Sequence, residues 1–97
     1  MQTYPNVADG RKVVTTAGTR ERLVSTNTPC KKVTIMALLE NTDYIVVGSS
    51  TVVASAGSRQ GIPLSAGASI TLDIDDLYPV YIDSVVNGEG VSYLYQL

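Results

Sequence analysis

The chain has 97 residues, enough for one domain with a modest core. At 44% apolar and 16% charged residues it is too apolar and too weakly charged to be disordered. Net charge is −2, with no histidine, no tryptophan and one cysteine, which excludes an internal disulfide and most nucleophile–base pairs. The charge is uneven. All seven basic residues lie in residues 1–60, which sum to +3, whereas residues 61–97 carry five acids and no base. This asymmetry suggests pairing between the two halves, or between copies head to tail. Nucleic acid is not an expected partner, because the bases are scattered and not interleaved with aromatics.

In chain order, residues 1–12 read as an N-terminal arm, with the turn formers Tyr4-Pro5-Asn6 and Ala8-Asp9-Gly10-Arg11. The start has no basic region followed by an apolar stretch, so no signal peptide is expected. The longest apolar run, Ile35 to Leu39, is far short of the about 20 residues that span a membrane. The chain is therefore expected in the cytosol or in something assembled there, with no membrane partner.

Residues 13–97 read as the folded domain. Short strands are predicted at Lys12–Thr16 and Thr19–Ser25. Lys31–Glu40 contains helix formers, yet Val33, Ile35, Ala37 and Leu39 alternate, which predicts a strand near a sheet centre. Tyr44-Ile45-Val46-Val47 is nearly continuous, as in a strand covered on both faces. Thr51–Val53 predicts a short strand, Ala54–Gly61 an exposed loop, and 68–74 and Leu77–Asp83 further strands. Pro79 implies an edge or a bulge in the last of these. Asn87-Gly88 predicts a tight hairpin into the closing strand, Val91–Leu97. Seven or eight short antiparallel strands predict an all-β, single-domain β-sandwich, jelly-roll or Ig-like.

Few groups suggest chemistry. Asp73, Asp75 and Asp76 form the one acidic cluster. Asp73 and Asp75 could approach one hard cation, but the spacing lacks the turn and carbonyl ligands of a calcium loop. The favoured reading is a solvated strand face with Asp76 capping a turn. Cys30 reads as a small half-buried residue with no histidine to activate it. The loops Gly48–Thr51 and Ala54–Gly61 lack P-loop spacing. No catalytic, cofactor or metal site is predicted, and the chain is not expected to be an enzyme. All six aromatics are tyrosines. Tyr93 and Tyr95 share a face with Val91 and Leu97, while Tyr78 and Tyr95 are candidates for self-association.

The pattern Asn41…Tyr44-Ile45-Val46-Val47-Gly48, then Gly61-Ile62-Pro63-Leu64-Ser65-Ala66-Gly67-Ala68-Ser69-Ile70-Thr71-Leu72, then Ile74-Asp75-Asp76-Leu77 and Val80-Tyr81-Ile82-Asp83, and finally Gly90-Val91-Ser92-Tyr93-Leu94-Tyr95, resembles small virion proteins of tailed bacteriophages. The match covers about residues 31–97 and consists of turn and core residues. It implies a β-sandwich that decorates or cements a capsid, or forms a head-fibre or tail component. It also implies assembly in the host cytoplasm, the virion surface as location, the major capsid protein as partner, and a homotrimer. Tyr4, Val7, Arg11 and Lys12 are then the expected shell contacts. The alternative expectation is a receptor- or glycan-binding module of a head or tail fibre.

Overall fold

The computed structural model describes residues 6–97. Eight strands are present among them: β1 (Val7–Val13), β2 (Glu21–Arg22), β3 (Lys32–Ala37), β4 (Ile45–Gly48), β5 (Ile62–Leu64), β6 (Ser69–Leu72), β7 (Tyr81–Ser84) and β8 (Gly90–Gln96). They form two antiparallel sheets, β1-β8-β3-β6 and β2-β7-β4-β5. The all-β sandwich expectation holds, and the strand order decides between its two forms. First and last strands are neighbours, and successive strands alternate between sheets over much of the chain, as in a jelly roll of two Greek keys. An Ig-like sandwich would pair the first two strands instead.

Burial explains the order of the elements. In β3, Val33, Ile35 and Ala37 are all fully buried, and the strand lies between β8 and β6. The alternation overrides the helix propensity of Met-Ala-Leu-Leu. Leu39, expected on the same face, is exposed because β3 ends at Ala37 and the Asn41 amide closes a turn on the Leu38 carbonyl. In β4, Ile45 and Val47 enter the main core, while Val46 faces the other way. There it meets Val52, Ala54 and half-buried Tyr81. A loop thus covers the outer side of this sheet, which accounts for the unbroken apolar run of β4.

Three expectations are corrected. Residues 7–12, read as part of an arm, belong to β1, which pairs with β8 from Val7↔Gln96 to Val13↔Gly90. The Leu97 amide extends this ladder by donating to the Asn6 carbonyl. The sequence signal was weak because glycine sits mid-strand. Gly10 lies under the Tyr93 ring, where any Cβ would collide with it, so the residue that breaks the pattern is required by packing. Second, Asn87-Gly88 does not make a hairpin. β7 and β8 lie in different sheets, so residues 85–89 cross between them. Gly88 has positive φ but Asn87 does not, whereas the tight hairpin turn needs both. Asn87 instead accepts the Ala17 amide, and Gly88 donates to the Val14 carbonyl. Third, the strand expected over Leu77–Asp83 begins only at Tyr81. Leu77–Val80 is a turn closed by Val80 N–H to the Leu77 carbonyl, and Pro79 sits in it outside the ladder. The proline within a strand is Pro63, on edge strand β5.

Candidate interaction surface

The fold uses most of its charged side chains to tie loops together. Asp83 is 2% exposed and makes no ion pair among the described residues. One of its oxygens accepts the amides of Gly18 (3.1 Å) and Ser84 (2.9 Å), and the other accepts that of Ala54 (3.0 Å). It therefore clamps the turn after β1 and the loop after β4 to β7. Glu89 does the same at another corner, accepting from the Thr42 amide and hydroxyl and from the Asp43 amide. Buried Asn41 brackets Gly90, donating to its carbonyl and accepting its amide.

The acidic cluster separates into different roles. Asp76 accepts from the Asn27 side chain and from the Thr28 and Tyr78 amides. The Asn27 bond foremost, then the two amides, hold its carboxyl below the usual range. It is a turn cap, as the sequence suggested. Asp73 is 84% exposed at the side chain and 3.6 Å from Lys32. Asp75 is exposed. Among the described residues, no three cysteine, aspartate or glutamate side chains converge as a metal site.

Several of the bases are engaged too. Arg22 lies over the rings of Tyr78 (3.9 Å) and Tyr81 (4.7 Å) and donates to the Tyr78 carbonyl. Arg20 donates to the Val52 carbonyl, and Arg59 donates to that of Ala54 while covering Tyr44. Lys12 bridges the two sheets through Glu21 at 2.9 Å. The Thr15 amide, then Lys12, hold the Glu21 carboxyl low. Cys30 is buried, its thiol donating to the Ile74 carbonyl. Burial, reinforced by Asp76 and Asp75, pushes that thiol up, away from the reactive thiolate.

Of the expected contact residues, Tyr4 lies outside the described residues. Val7 and Arg11 are exposed on the outer side of the β1-β8-β3-β6 sheet, where Leu94 of β8 is half exposed. Lys12 points the other way, to Glu21. Tyr78 is half-buried beneath Arg22. Tyr95 is half-buried against the main core, stacked on Tyr93 at 6.1 Å between centroids. Burial foremost, with Tyr95 and Asp9 nearby, raises the Tyr93 phenol. The structure brings together Val7, Arg11 and Leu94 on one sheet face but not the two tyrosines with them.

Two features were not read from the sequence. One is the outer face just described, whose rows follow from register: Asp9, Leu94, Thr34 and Thr71 lie side by side, as do Arg11, Ser92, Met36 and Ser69. Its signal was Ser or Thr at outward positions of three strands: Thr34 in β3, Ser69 and Thr71 in β6 and Ser92 in β8. The other is a groove of about 900 Å³ along the open side between β5 and β6. Val47, Ile62, Ile70, Leu72 and Ile74 line it, with Asp73 and Asp75 at one end. Its signal was the alternation of apolar and polar residues from Ile70 to Asp75. No family model, curated protein or solved structure matches the chain.

Proposed function

We propose that the chain is a non-enzymatic structural protein of a tailed-phage virion, decorating or cementing the outer shell by binding the major capsid protein. The observation that carries this reading is the use of Asp76, Asp83 and Glu89 as clamps between loops. Groups that could do chemistry are spent on holding a small jelly roll rigid, which suits a body that presents surfaces. Jelly rolls serve in capsids and in lectins, so the fold is compatible with the role without assigning it. The likeness over residues 31–97 points the same way, since its turn and core residues are the joints of this sandwich.

The shell-facing surface in this reading is the outer side of β1-β8-β3-β6, where Val7 is 66% and Leu94 50% exposed among Thr and Ser side chains. Many weak contacts of this kind add up across a symmetric lattice. The test uses particles of the encoding phage assembled without this chain. Purified protein should saturate them at a fixed copy number per capsid, and Leu94→Asp should lower occupancy at least tenfold while keeping the thermal melt. Binding to tails instead of heads, or to neither, would overturn the reading. Truncation should stop before Val7, because deleting residues 1–10 would remove half of β1 and confound binding with folding.

A further inference from the structure

We propose that copies of this chain join edge to edge, with β6 of one copy pairing with β1 of the next. Three observations meet here. The first is polarity. Each sheet has four antiparallel strands, so its two end strands run in opposite directions. A copy shifted sideways without being turned over sets its β1 antiparallel to β6. The same shift sets its β2 antiparallel to β5. The strand polarity of both layers is therefore compatible with the same shift.

The second is the character of the edges. β6 reads Ser69-Ile70-Thr71-Leu72, with no charge and no proline, and so lacks the usual devices that blunt a sheet edge. β5 beside it carries Pro63, and β2 has only two residues. That leaves β6 and the seven-residue β1 as the edges with room for a ladder. Half-exposed Ile62 and the apolar groove flank the β6 edge, ready to be covered.

The third is charge. The β1/β2 side holds Arg11, Lys12, Arg20 and Arg22 against Asp9 and Glu21, a net +2. The β5/β6 side gathers Asp73, Asp75 and Asp76 against Lys31 and Lys32, a net −1. Unlike edges attract. Two β6 edges meeting about a twofold axis would set the aspartates against one another. A contact between unlike edges is heterologous, so it closes a ring or runs on as a filament. The inference stands apart from capsid binding: the chain could self-pair away from any particle, or bind particles as a monomer.

The test is thiol cross-linking of the full chain with a short bismaleimide, using Arg11→Cys, Ser69→Cys and the double variant, because a sideways shift continues the Arg11–Ser92–Met36–Ser69 row and sets Ser69 beside Arg11 of the next copy. Buried Cys30 makes the unsubstituted chain the control. The double variant should give multimers on a denaturing gel, each single variant should stay monomeric, and a mixture of the two singles should stop at dimers. Dimers from Ser69→Cys alone or from Arg11→Cys alone would show like edges pairing and overturn the proposal. So would an absence of cross-links together with a monomeric mass by light scattering up to millimolar protein. Should the cysteine variants fail to fold, the charge variants decide: Asp73→Arg should lower the assembled fraction several-fold, and adding Arg11→Asp should restore it. Equal masses for all three chains would refute the pairing.

Discussion

Replacing Asp83 with asparagine tests whether a buried carboxylate holds the loops together. The best asparagine rotamer keeps its oxygen toward Gly18 and Ser84 and turns its NH2 group onto the Ala54 amide, which then faces a donor. Hydrogen bonds to a charged acceptor contribute about 1.5–3 kcal/mol each, and neutral ones about half of that. Losing one and weakening two costs about 4–5 kcal/mol. Burying an amide is easier than burying a carboxylate, and that difference offsets several kcal/mol. A net destabilisation of about 2 kcal/mol remains, which for a domain of this size lowers the melting temperature by roughly 8–16 °C. Thermal and urea unfolding followed by circular dichroism would measure it. Amide hydrogen exchange should accelerate most at Ala54 and least in the interior of β3. Asp83→Ala, which takes the carboxylate from the Ala54 and Ser84 amides and leaves Gly18 only its longer bond to the Ser84 carbonyl, should be worse still. An Asp83→Asn protein that melts within about 2 °C of the parent, with unchanged exchange at Ala54, would refute the clamp.

Three further outcomes are expected. Gly90→Ala places a Cβ against the Lys12 carbonyl and the Val13 Cα, so it should cost at least about 3 kcal/mol in urea unfolding, and a cost below 1 would show that the β1–β8 approach is looser than described. Asp76 and Glu21 have carboxyls held low, so their stabilisation is complete above the ordinary carboxylate range near pH 4 and is lost as pH falls through their lower folded values. The melting gap between the parent and Asp76→Asn should therefore shrink from pH 5 to pH 2.5, and a constant gap would count against this. Cys30 should resist a thiol-specific colour reagent in the native protein and react at once in denaturant, whereas rapid native reaction would place the thiol at the surface.

The parts of the fold readable in the sequence were those governed by period-two burial. β3 and β4 declared themselves, because Val33, Ile35 and Ala37 share one buried face and because Val46 is covered from outside by Val52 and Ala54. The connections were harder. Asn87-Gly88 has the local chemistry of a hairpin, but tertiary partners at Val14 and Ala17 turn it into a crossing between sheets. β1 was hidden because Gly10 is chosen for the Tyr93 ring and not for strand propensity. The clamps were hidden for a related reason. An aspartate between Ile82 and Ser84 looks like a solvated residue until the loops that fold over it bring three amides to its oxygens. The exposed outer face could not be read as one surface either, since Leu94 lies far in sequence from Val7 and Arg11 and joins them only through the β1–β8 register.

The same register has a mechanical meaning. Asn6 and Leu97 are bonded to each other at one end of the β1–β8 ladder, so tethers attached at these two positions leave the body at the same pole. A pull applied between them would load the ladder one bond at a time, like a zipper, and β1 would peel from β8 at low force. A pull on Asn6 directed along β1, with the body held through β3, would load all of the ladder's hydrogen bonds together in shear. The protein should therefore be strong or weak according to where it is gripped, and single-molecule stretching along the two directions would give well-separated rupture forces.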